Sequence, residues 1–517
     1  MPAFASAIPV SGEPDVGPDA SGQSAWSVHL VLGCVALGWY IFNWVVCAIG
    51  YSRIFRTYNK PPPPSPPVSE NDVPFVTILR PIKGYDPNLD LCLASTCLQD
   101  YPQSRFELVF CVATPQDTAI PVINHVLEQH PNVNARLQIG EEDVGPNPKI
   151  RNLNKAYREA TGDIVWILDC NIWVNPGTLR RSVELLEGTR SQTGYKLVHH
   201  LPIAVDVSDV RSYTPDHSPR TPSTEESSSS LLRRSSVTPG AEKNWLSGVL
   251  AYGGGRLEEN FLSSSHAKFY CAINTLSVAS CVVGKSEMFR RSHLAEVTRD
   301  GGDKDGLMYF SDYICEDHLI SEKLFLTPLD EEVSGKRKWR RHGMGTDLVF
   351  QPLEDMPVRD YLARRMRWIR VRKYANLPAT FVESLTESVT CSLIGGYAVT
   401  SIPSLASRVG SSWMSFWGFW IMSMAAWGLM DRVLFNFLHA HKSVPVDDHT
   451  PDFIARHKGR SAMEWLLQWI GREAFAFPVW LSALWPGPIS WRGGLYRIRW
   501  KDMKVEELGM DGKRRRD

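Results

Sequence analysis

Four apolar runs of strand length follow one another from residue 75 onward, and helical stretches separate them. The runs are Phe75–Leu79, Phe106–Ala113, Ala135–Gly140 and Ile164–Leu168. The helical stretches lie near Asn88–Leu98, Thr118–His130, Ile150–Ala160 and Pro176–Leu186. Strand–helix alternation is typical of an α/β domain whose parallel sheet carries helices on both faces. Because ligands bind beyond the carboxyl ends of such strands, we expect functional residues directly after the apolar runs.

A longer apolar stretch precedes this domain. Trp26–Gly50 contains no Asp, Glu, Lys or Arg, and it is long enough to cross a hydrocarbon core of about 30 Å as a helix. Arg53, Arg56 and Lys60 follow it, and basic residues mark the cytosolic side of a membrane. Because they follow the apolar run instead of preceding it, a cleaved signal peptide is not favoured. The pattern predicts a transmembrane helix with the α/β domain in the cytosol.

Apolar stretches return after the α/β domain. Ser388–Ser407 and Val409–Met430 are uncharged, each is long enough to span a membrane, and only Arg408 separates them. They form either a tight helical hairpin or one span plus an interfacial or re-entrant piece. Ala474–Ser490 is short for a span and is broken by prolines. We therefore predict a multi-pass membrane protein with N-terminal and C-terminal transmembrane helices, and the number of C-terminal spans is open.

These features divide the chain into segments. We predict a disordered N-terminus (1–25), a transmembrane helix (26–50), a proline-rich linker (51–74), the α/β domain (75–380), a C-terminal membrane region (381–490) and a basic tail (491–517). Residues 206–242 are rich in Ser, Thr, Pro and charge, which predicts a disordered insertion within the α/β domain. Pro61–Pro67 holds six prolines in seven residues and predicts a stiff spacer; the alternative is a ligand for a proline-binding module.

Composition narrows the classes of partner. The 517 residues carry 56 basic and 56 acidic side chains, so the formal net charge is zero. Nucleic-acid-binding proteins normally have a basic surplus, and we therefore expect no nucleic-acid partner. Many of the 18 tryptophans lie in or near the apolar stretches, as expected for side chains that prefer the membrane–water boundary. The ten cysteines are scattered singly, which disfavours a zinc site or a disulfide scaffold and favours a reducing compartment.

Three local patterns could carry chemistry. Asp169 directly follows an apolar run, where a carboxylate can hold a divalent cation or cap the next helix. Glu316-Asp317 opens a helical run, so one carboxylate could cap the helix while the other acts as a general base. Arg364–Trp368 lies within 359–373, a stretch with seven basic residues. Such a stretch could contact anionic lipid headgroups, clamp a diphosphate, or do both.

Two carboxylate sites followed by an Arg-x-x-Arg-Trp box, in an α/β domain next to membrane segments, resemble the inverting GT-A-fold glycosyltransferases. Several further stretches are similar to one family within that class, the ceramide glucosyltransferases. These stretches are Leu79–Gly84 with Asp86–Leu89, Val144–Ile150 with Asn152-Leu153, Ser482–Trp485 and Ile489–Arg492. The resemblance covers the chain from residue 75 to residue 500, except 206–242 and the stretch around Lys336–Arg341. Because several separate motifs occur in the right order, the resemblance is specific.

The resemblance implies a GT-A, Rossmann-like domain that transfers glucose from UDP-glucose to the primary hydroxyl of ceramide with inversion. It implies that Asp317 is the catalytic base and that Asp169 binds substrate through Mg²⁺ or Mn²⁺. Substrate-binding roles are implied for a further set of residues, namely Asp117, His266, Cys281, Arg364, Arg367 and Trp368. The implied partners are UDP-glucose, ceramide and the lipid bilayer, and the implied location is a Golgi or endoplasmic reticulum membrane.

Two features depart from the family pattern. The family's first aspartate follows a strand that ends in Cys-Val, whereas here the nearest carboxylate after Cys111-Val112 is Asp117, three positions later than expected. Asp169 is followed by Cys170-Asn171, so it belongs to no Asp-x-Asp pair. Because a single carboxylate holds a cation less tightly than a pair does, the metal requirement is open.

Two other functions fit parts of the pattern. A processive membrane polysaccharide synthase shares the Arg-x-x-Arg-Trp box, but it needs a transmembrane channel that three or four candidate spans do not readily supply. A catalytically weak lipid-binding scaffold would explain the displaced first aspartate. Product size distinguishes the first alternative, and UDP release in the presence and absence of ceramide distinguishes the second.

Overall fold

A computed structural model of the protein describes residues 20–63, 70–188, 192–208, 245–456 and 459–509. The described residues form two compact units. The smaller unit contains residues 20–44 and Ser388–Ala426, and the larger unit contains the described parts of Val45–Glu387 and Trp427–Asp517. Most of the predicted N-terminal disorder, most of the predicted insertion and much of the predicted polyproline spacer lie outside the described residues.

The larger unit is built on a mixed sheet of seven strands in the described part of the chain. The strands are β1 (Val76–Ile82), β2 (Phe106–Val112), β3 (Ala135–Ile139), β4 (Ile164–Leu168), β5 (Tyr195–Asp206), β6 (Ser286–Arg290) and β7 (Arg340–Leu353). Their order across the sheet is β3-β2-β1-β4-β6-β5-β7, and β6 alone is antiparallel to both of its neighbours. The four predicted strands are confirmed as β1 to β4, and the order β3-β2-β1-β4 is that of a Rossmann half.

Both faces of the sheet are buried at β1, β2 and β4, which explains why these strands read as nearly continuous apolar runs, whereas the edge strand β3 alternates and is only partly buried. On one face Ile78, Leu108 and Trp166 belong to a single apolar cluster. On the other face the next residues along these strands, including Leu79 and Val165, belong to a second cluster. The predicted α/β class is therefore confirmed, and the carboxyl ends of β1, β2 and β4 meet at one edge.

Helices of the larger unit cover these faces and extend the unit beyond the sheet. They are α2 (Leu89–Cys97), α3 (Ile120–Gln129), α4 (Pro148–Glu159), α5 (Thr178–Glu187), α6 (Trp245–Tyr252), α7 (Gly254–Leu262), α8 (Ser265–Leu276), α9 (Arg291–Val297), α10 (Glu316–Leu326), α11 (Asp330–Val333), α12 (Val358–Ala375), α13 (Leu377–Thr386), α17 (Asp452–Ala455) and α18 (Ala462–Leu484). The predicted apolar stretch 474–490 begins in the second half of α18. Asp206 ends β5, so the predicted insertion begins no earlier than residue 207.

The predicted basic tail is folded over most of its length. A small antiparallel sheet consists of β8 (Ile489–Trp491), β9 (Gly494–Ile498) and β10 (Val505–Leu508). Its buried residues Ile489, Tyr496 and Ile498 pack with Val371 of α12. This segment is therefore a folded part of the larger unit up to Leu508, because apolar residues recur among its charges.

The smaller unit consists of helical segments in the part of it that is described. α1 (Ala20–Thr57) and α16 (Trp413–His439) each contribute one end to it, and α14 (Ser388–Ser401) and α15 (Pro403–Val409) lie wholly within it. The side chains of Tyr40 and Ser392 both hydrogen-bond the Ser423 hydroxyl, at 2.9 and 2.8 Å. Residues 20–25, predicted to be disordered, form the first turns of α1.

One described helix, Val28–Thr57, is long and apolar enough to cross a membrane. α14 and α15 would together supply a second span, but they meet at an angle of 96° around Ile402. This bend agrees with a broken or re-entrant segment more than with a straight span over Ser388–Ser407. The C-terminal spans stay a prediction.

Candidate functional site

The site begins with the polar groups that hold α4 against the sheet. The Asn147 side chain accepts hydrogen bonds from the backbone N–H groups of Lys149 (2.8 Å) and Ile150 (3.1 Å), and thereby caps the helix. One turn later, the Asn152 amide donates to the backbone oxygens of Ile82 and Cys111 at the ends of β1 and β2. The Asn-Pro-Lys motif thus places Lys149 at the carboxyl edge of the sheet.

Asp169 follows β4 at this edge and lies between two lysines. Lys149 Nζ is 3.2 Å from Asp169 Oδ1, and Lys285 Nζ is 3.3 Å from Oδ2. The backbone N–H of Asp169 also donates to the Lys285 oxygen at 3.1 Å. Burial by itself would raise the pKa of Asp169, but the two ammonium groups outweigh burial and hold that pKa well below its usual range. Asp169 is therefore a carboxylate at every physiological pH.

Asp317 lies in the first turn of α10, as predicted, and is bound by the residue next to Lys285. The backbone N–H of Gly284 donates to Asp317 Oδ2 at 2.7 Å. A Cβ atom on Gly284 would lie 2.7 Å from the same oxygen, so the close approach requires glycine. Two consecutive residues thus hold Asp169 and Asp317 at one place, and Asp317 stays partly exposed.

Two buried glutamates complete the acidic surroundings. Glu316 forms an ion pair with Lys149 (3.3 Å) and accepts a hydrogen bond from the Asn147 amide (2.9 Å), so it serves the structure instead of facing solvent. Burial raises the pKa of Glu287 well above its usual range, and the charge of Asp317 adds to this shift. Lys149 therefore lies among several acidic side chains, of which Asp169 and Glu316 form ion pairs with it. Asp317 forms no such ion pair with Lys149 and is partly exposed.

The Arg-x-x-Arg-Trp box lies on α12, near the same edge. Arg364 Nε is 3.1 Å from an oxygen of Glu258, which is fully buried, and the Arg364 guanidinium lies 5.0 Å from the Trp368 ring. Burial, followed by the positive charges of Arg364 and Arg492, lowers the pKa of Arg367 to about 10. Arg367 and Arg492 form no ion pair with any described residue. Like charges are held together here, which is typical of an anion site.

Arg492 reaches this site from the small C-terminal sheet. It lies in the turn between β8 and β9, and its positive charge acts on Asp169. Lys83, which follows β1, donates to the Arg492 backbone oxygen and fixes the turn beside the main sheet. The motif around Ser490 and Trp491 therefore positions the Arg492 side chain near the carboxyl edge of the sheet.

His266 lies in the first turn of α8, and Cys281 follows the end of that helix. The side chain of Asn274 on α8 donates to the Cys281 backbone oxygen at 2.8 Å. The His266 ring, also on α8, is 5.6 Å from the Phe261 ring, and burial lowers the pKa of His266 to about 3. His266 Nδ1 is buried without a hydrogen-bond partner in the described part of the chain. Burial raises the pKa of the Cys281 thiol to about 11, so the thiol stays protonated.

Asp117 lies beyond β2, at the sheet edge where it was predicted. Its carboxylate accepts hydrogen bonds from the backbone N–H groups of Gly84 (2.9 and 3.0 Å) and Ala119 (2.9 Å). Asp117 thus ties the loop after β1 to the loop after β2, and a role in binding the nucleoside stays a prediction.

The residues around Asp169 do not fit a divalent cation. Both carboxylate oxygens face lysine ammonium groups, and a cation would have to displace Lys149 and Lys285 to bind. Within the described ranges, no group of three His, Cys, Asp or Glu side chains is arranged to hold a metal ion. At Asp169, the ammonium groups of Lys149 and Lys285 therefore occupy the positions that the predicted Mg²⁺ or Mn²⁺ would take.

Several residues of this site were missed by the sequence-based prediction: Lys149, Glu258, Lys285 and Arg492. Lys149 carried a usable signal, because a lysine in the first turn of a helix opposes the helix dipole and needs a compensating anion. The other three have no local signal, since their partners lie far away in sequence.

Comparisons with known proteins identify relatives of this chain. The model of glycosyl transferase family 21 matches residues 39–214 and 251–504. The ceramide glucosyltransferase of Pyricularia oryzae is 38% identical over 91% of this chain and 94% of its own length. The ceramide glucosyltransferase of Gibberella zeae is 40% identical over 91% of each chain. A solved mannosyltransferase of Pyrobaculum calidifontis, in complex with GDP-Man and Mn²⁺, is 18% identical, with a TM-score of 0.38 over 79% of this chain and 97% of its own.

The relatives and the family model do not favour a processive polysaccharide synthase or an inactive scaffold. The two segments matched by the family model include the strands β1 to β4, Asp169, Asp317 and the Arg-x-x-Arg-Trp box. The interruption between them, at residues 215–250, overlaps the predicted insertion. The chain therefore belongs to glycosyltransferase family 21.

Proposed function

We propose that this protein transfers glucose from UDP-glucose to the primary hydroxyl of ceramide, with inversion at the anomeric carbon. The observation that carries the proposal is the pair Gly284–Lys285, whose two residues bind Asp317 and Asp169 respectively. A partly exposed carboxylate thus stands next to a group of cations, as a transfer from a nucleoside diphosphate sugar requires.

Asp317 acts as the general base. The acceptor hydroxyl attacks the anomeric carbon from the face opposite UDP, and Asp317 takes up its proton as the new carbon–oxygen bond forms. The bond between the anomeric carbon and the phosphate oxygen breaks at the same time, and UDP leaves with the bonding electrons. The hydrogen bond from Gly284 fixes one oxygen of Asp317, which leaves the other oxygen for the proton.

Cationic side chains stabilise the charge that builds on the leaving diphosphate. Arg367 and Arg492 are suited to this role, since neither forms an ion pair with a described carboxylate, and Arg364 lies near both Arg367 and Lys285. Arginine binds phosphate oxygens in a bidentate manner. No step of this mechanism passes through a metal ion.

We further propose that the reaction takes place at the cytosolic face of a Golgi or endoplasmic reticulum membrane. Arg53 and Arg56 follow the long apolar part of α1, which supports a cytosolic position for the catalytic unit. The donor is a charged solute and the acceptor is a bilayer lipid. The active site must therefore be accessible from both the cytosol and the bilayer.

An assay of membranes that carry the full chain tests the proposal. UDP-glucose and UDP-galactose are supplied separately, with and without ceramide, and the lipid product is sized. The expected result is one glucose per ceramide and UDP release that depends on ceramide. A polymer, or UDP release that ignores ceramide, would refute the proposed function.

A further inference from the structure

Glu258 is a fully buried carboxylate on α7, beside the helix that carries the Arg-x-x-Arg-Trp box. Its only ion-pair partner among the described residues is Arg364, whose Nε lies 3.1 Å from a carboxylate oxygen. Neither oxygen of Glu258 has a hydrogen-bond partner in the same part of the chain. A buried carboxylate with so few partners lowers the stability of the fold, because lost hydration is only partly replaced. Stability alone therefore does not explain a charge at this position.

The packing of α7 against α12 fixes the place of Glu258. The backbone N–H of Gly254, at the start of α7, donates to the Met356 oxygen at 2.8 Å, two residues before α12 begins. Apolar residues of the two helices belong to one cluster, namely Leu257, Phe261, Val358 and Tyr361. The carboxylate of Glu258 is therefore held beside α12, in apolar surroundings where two charges interact more strongly than in water.

Three groups contact the guanidinium of Arg364. Glu258 lies beside its Nε, the side-chain oxygen of Gln351 on β7 accepts from its Nη2 at 3.4 Å, and the Trp368 ring centre is 5.0 Å away. Nη1 donates no hydrogen bond within the described ranges. Arginine binds phosphate oxygens through the N–H groups of such a free side. Glu258 therefore determines which side of the guanidinium is left for a ligand.

Other cations near Arg364 repel it. Burial lowers the pKa of Arg367 to about 10, the positive charges of Arg364 and Arg492 add to this shift, and the negative charge of Glu258 opposes it. Burial also lowers the pKa of Lys285, and the charge of Arg364 acts in the same direction. In the absence of an anionic ligand, the attraction to Glu258 therefore keeps Arg364 in a group of cations that would otherwise push it away.

We propose that Glu258 is a positioning residue of the donor site. It holds the guanidinium of Arg364 in the orientation that binds the diphosphate, so that this cation is in place before the donor arrives. Glu258 acts through Arg364 and not by contact with the donor. This inference rests on the proposed function, because it takes the anionic ligand to be the diphosphate of UDP-glucose.

A double-mutant cycle in membranes that carry the full chain tests the inference. Glu258→Gln keeps the size of the side chain and removes its charge, and Arg364→Met removes the guanidinium. We expect Glu258→Gln to raise the KM for UDP-glucose and the dissociation constant of UDP about tenfold, with the KM for ceramide unchanged. In the double variant both constants should equal those of Arg364→Met alone. An unchanged KM for UDP-glucose in Glu258→Gln, or effects of the two substitutions that multiply, would overturn the inference.

Glu259→Gln is the matched control. Glu259 is the next residue of α7 and is also fully buried, but it pairs with Arg460 instead of the box, at 2.8 Å. We expect Glu259→Gln to leave the KM for UDP-glucose unchanged even where it lowers the melting temperature. An equal rise of this KM in Glu258→Gln and Glu259→Gln would show a general effect of removing a buried charge from α7, and would overturn the inference.

Melting temperatures supply a test that does not require Glu258→Gln to fold by itself. Arg364→Met leaves a buried carboxylate without its partner, so it should melt at a lower temperature than the double variant, which lacks that charge as well. The reverse order would show that Glu258 does not pair with Arg364 and would overturn the inference. If the unmodified protein forms no glucosylceramide, the proposed function fails; if it does but the two substitutions act independently, only the inference about Glu258 fails.

Discussion

The carboxyl edge of the sheet and the contact between α12, α13 and α18 handle charge in different ways. At the edge, burial and then the positive charges of Arg364 and Arg492 lower the pKa of Arg367, and neither Arg367 nor Arg492 forms an ion pair with a described carboxylate. At the helix contact, Arg365 pairs with Glu383 and Arg472 pairs with Glu387. Arginines without an ion-pair partner therefore mark a position suited to an anionic substrate, whereas paired arginines hold helices together.

The largest effect is expected from Asp317, which stands where the two substrates must meet. Asp317→Asn keeps the size of the side chain but removes the proton acceptor. We expect kcat to fall about 10⁴-fold, at the upper end of what a general base contributes, with both KM values nearly unchanged. Asp330→Asn, at an exposed position, serves as the control. Retention of activity in Asp317→Asn would remove this residue from the role of base.

A variant of Arg367 tests how much positive charge at the carboxyl edge of the sheet contributes to catalysis. Arg367→Met should lower kcat/KM for UDP-glucose about 10³-fold, because a preorganised cation is lost from the diphosphate. The melting temperature should stay the same or rise, since the variant relieves repulsion between like charges. Arg359→Met, whose side chain is 86% exposed on the same helix, should behave like the unmodified protein. A lower melting temperature in Arg367→Met would show that this arginine is structural.

A variant of Gly284 tests how strongly activity depends on the position of the Asp317 carboxylate. In Gly284→Ala the added methyl group would lie 2.7 Å from the Asp317 oxygen and force the carboxylate to move. A displacement of this kind should lower kcat about 10²-fold. Gly248→Ala is the control, because no atom lies within 4 Å of the added methyl group. Equal activity of the two variants would contradict the assigned geometry.

Removal of metal should have the smallest effect. Because Lys149 and Lys285 occupy both oxygens of Asp169, we expect activity in excess EDTA to stay within about twofold of the untreated enzyme. Loss of activity that added Mg²⁺ or Mn²⁺ restores would show that a cation displaces these lysines when the donor binds.

Local patterns were sufficient for the core of the domain and for the positions of two carboxylates, whereas the roles of those carboxylates came from the resemblance to the family. β1, β2 and β4 were predictable because strands buried on both faces are nearly continuously apolar, and Asp169 follows the end of β4. Asp317 lies at the start of α10, where acidic residues are favoured, so the local pattern alone fits a helix cap as well as a base. α18 was less visible in the sequence, because its buried residues Arg472 and Glu473 lower its hydropathy.

Sequence patterns alone established the α/β class, the strands up to β4, the long apolar helix and the family. These depend on periodicity and on short motifs, which are properties of neighbouring residues. Three-dimensional contacts were needed to show that Lys149 and Lys285 take the oxygens of Asp169 and that Arg492 lies beside them. Lys285 and Arg492 are each more than a hundred positions from Asp169 in the sequence, and pairing between distant charges leaves no pattern along the chain.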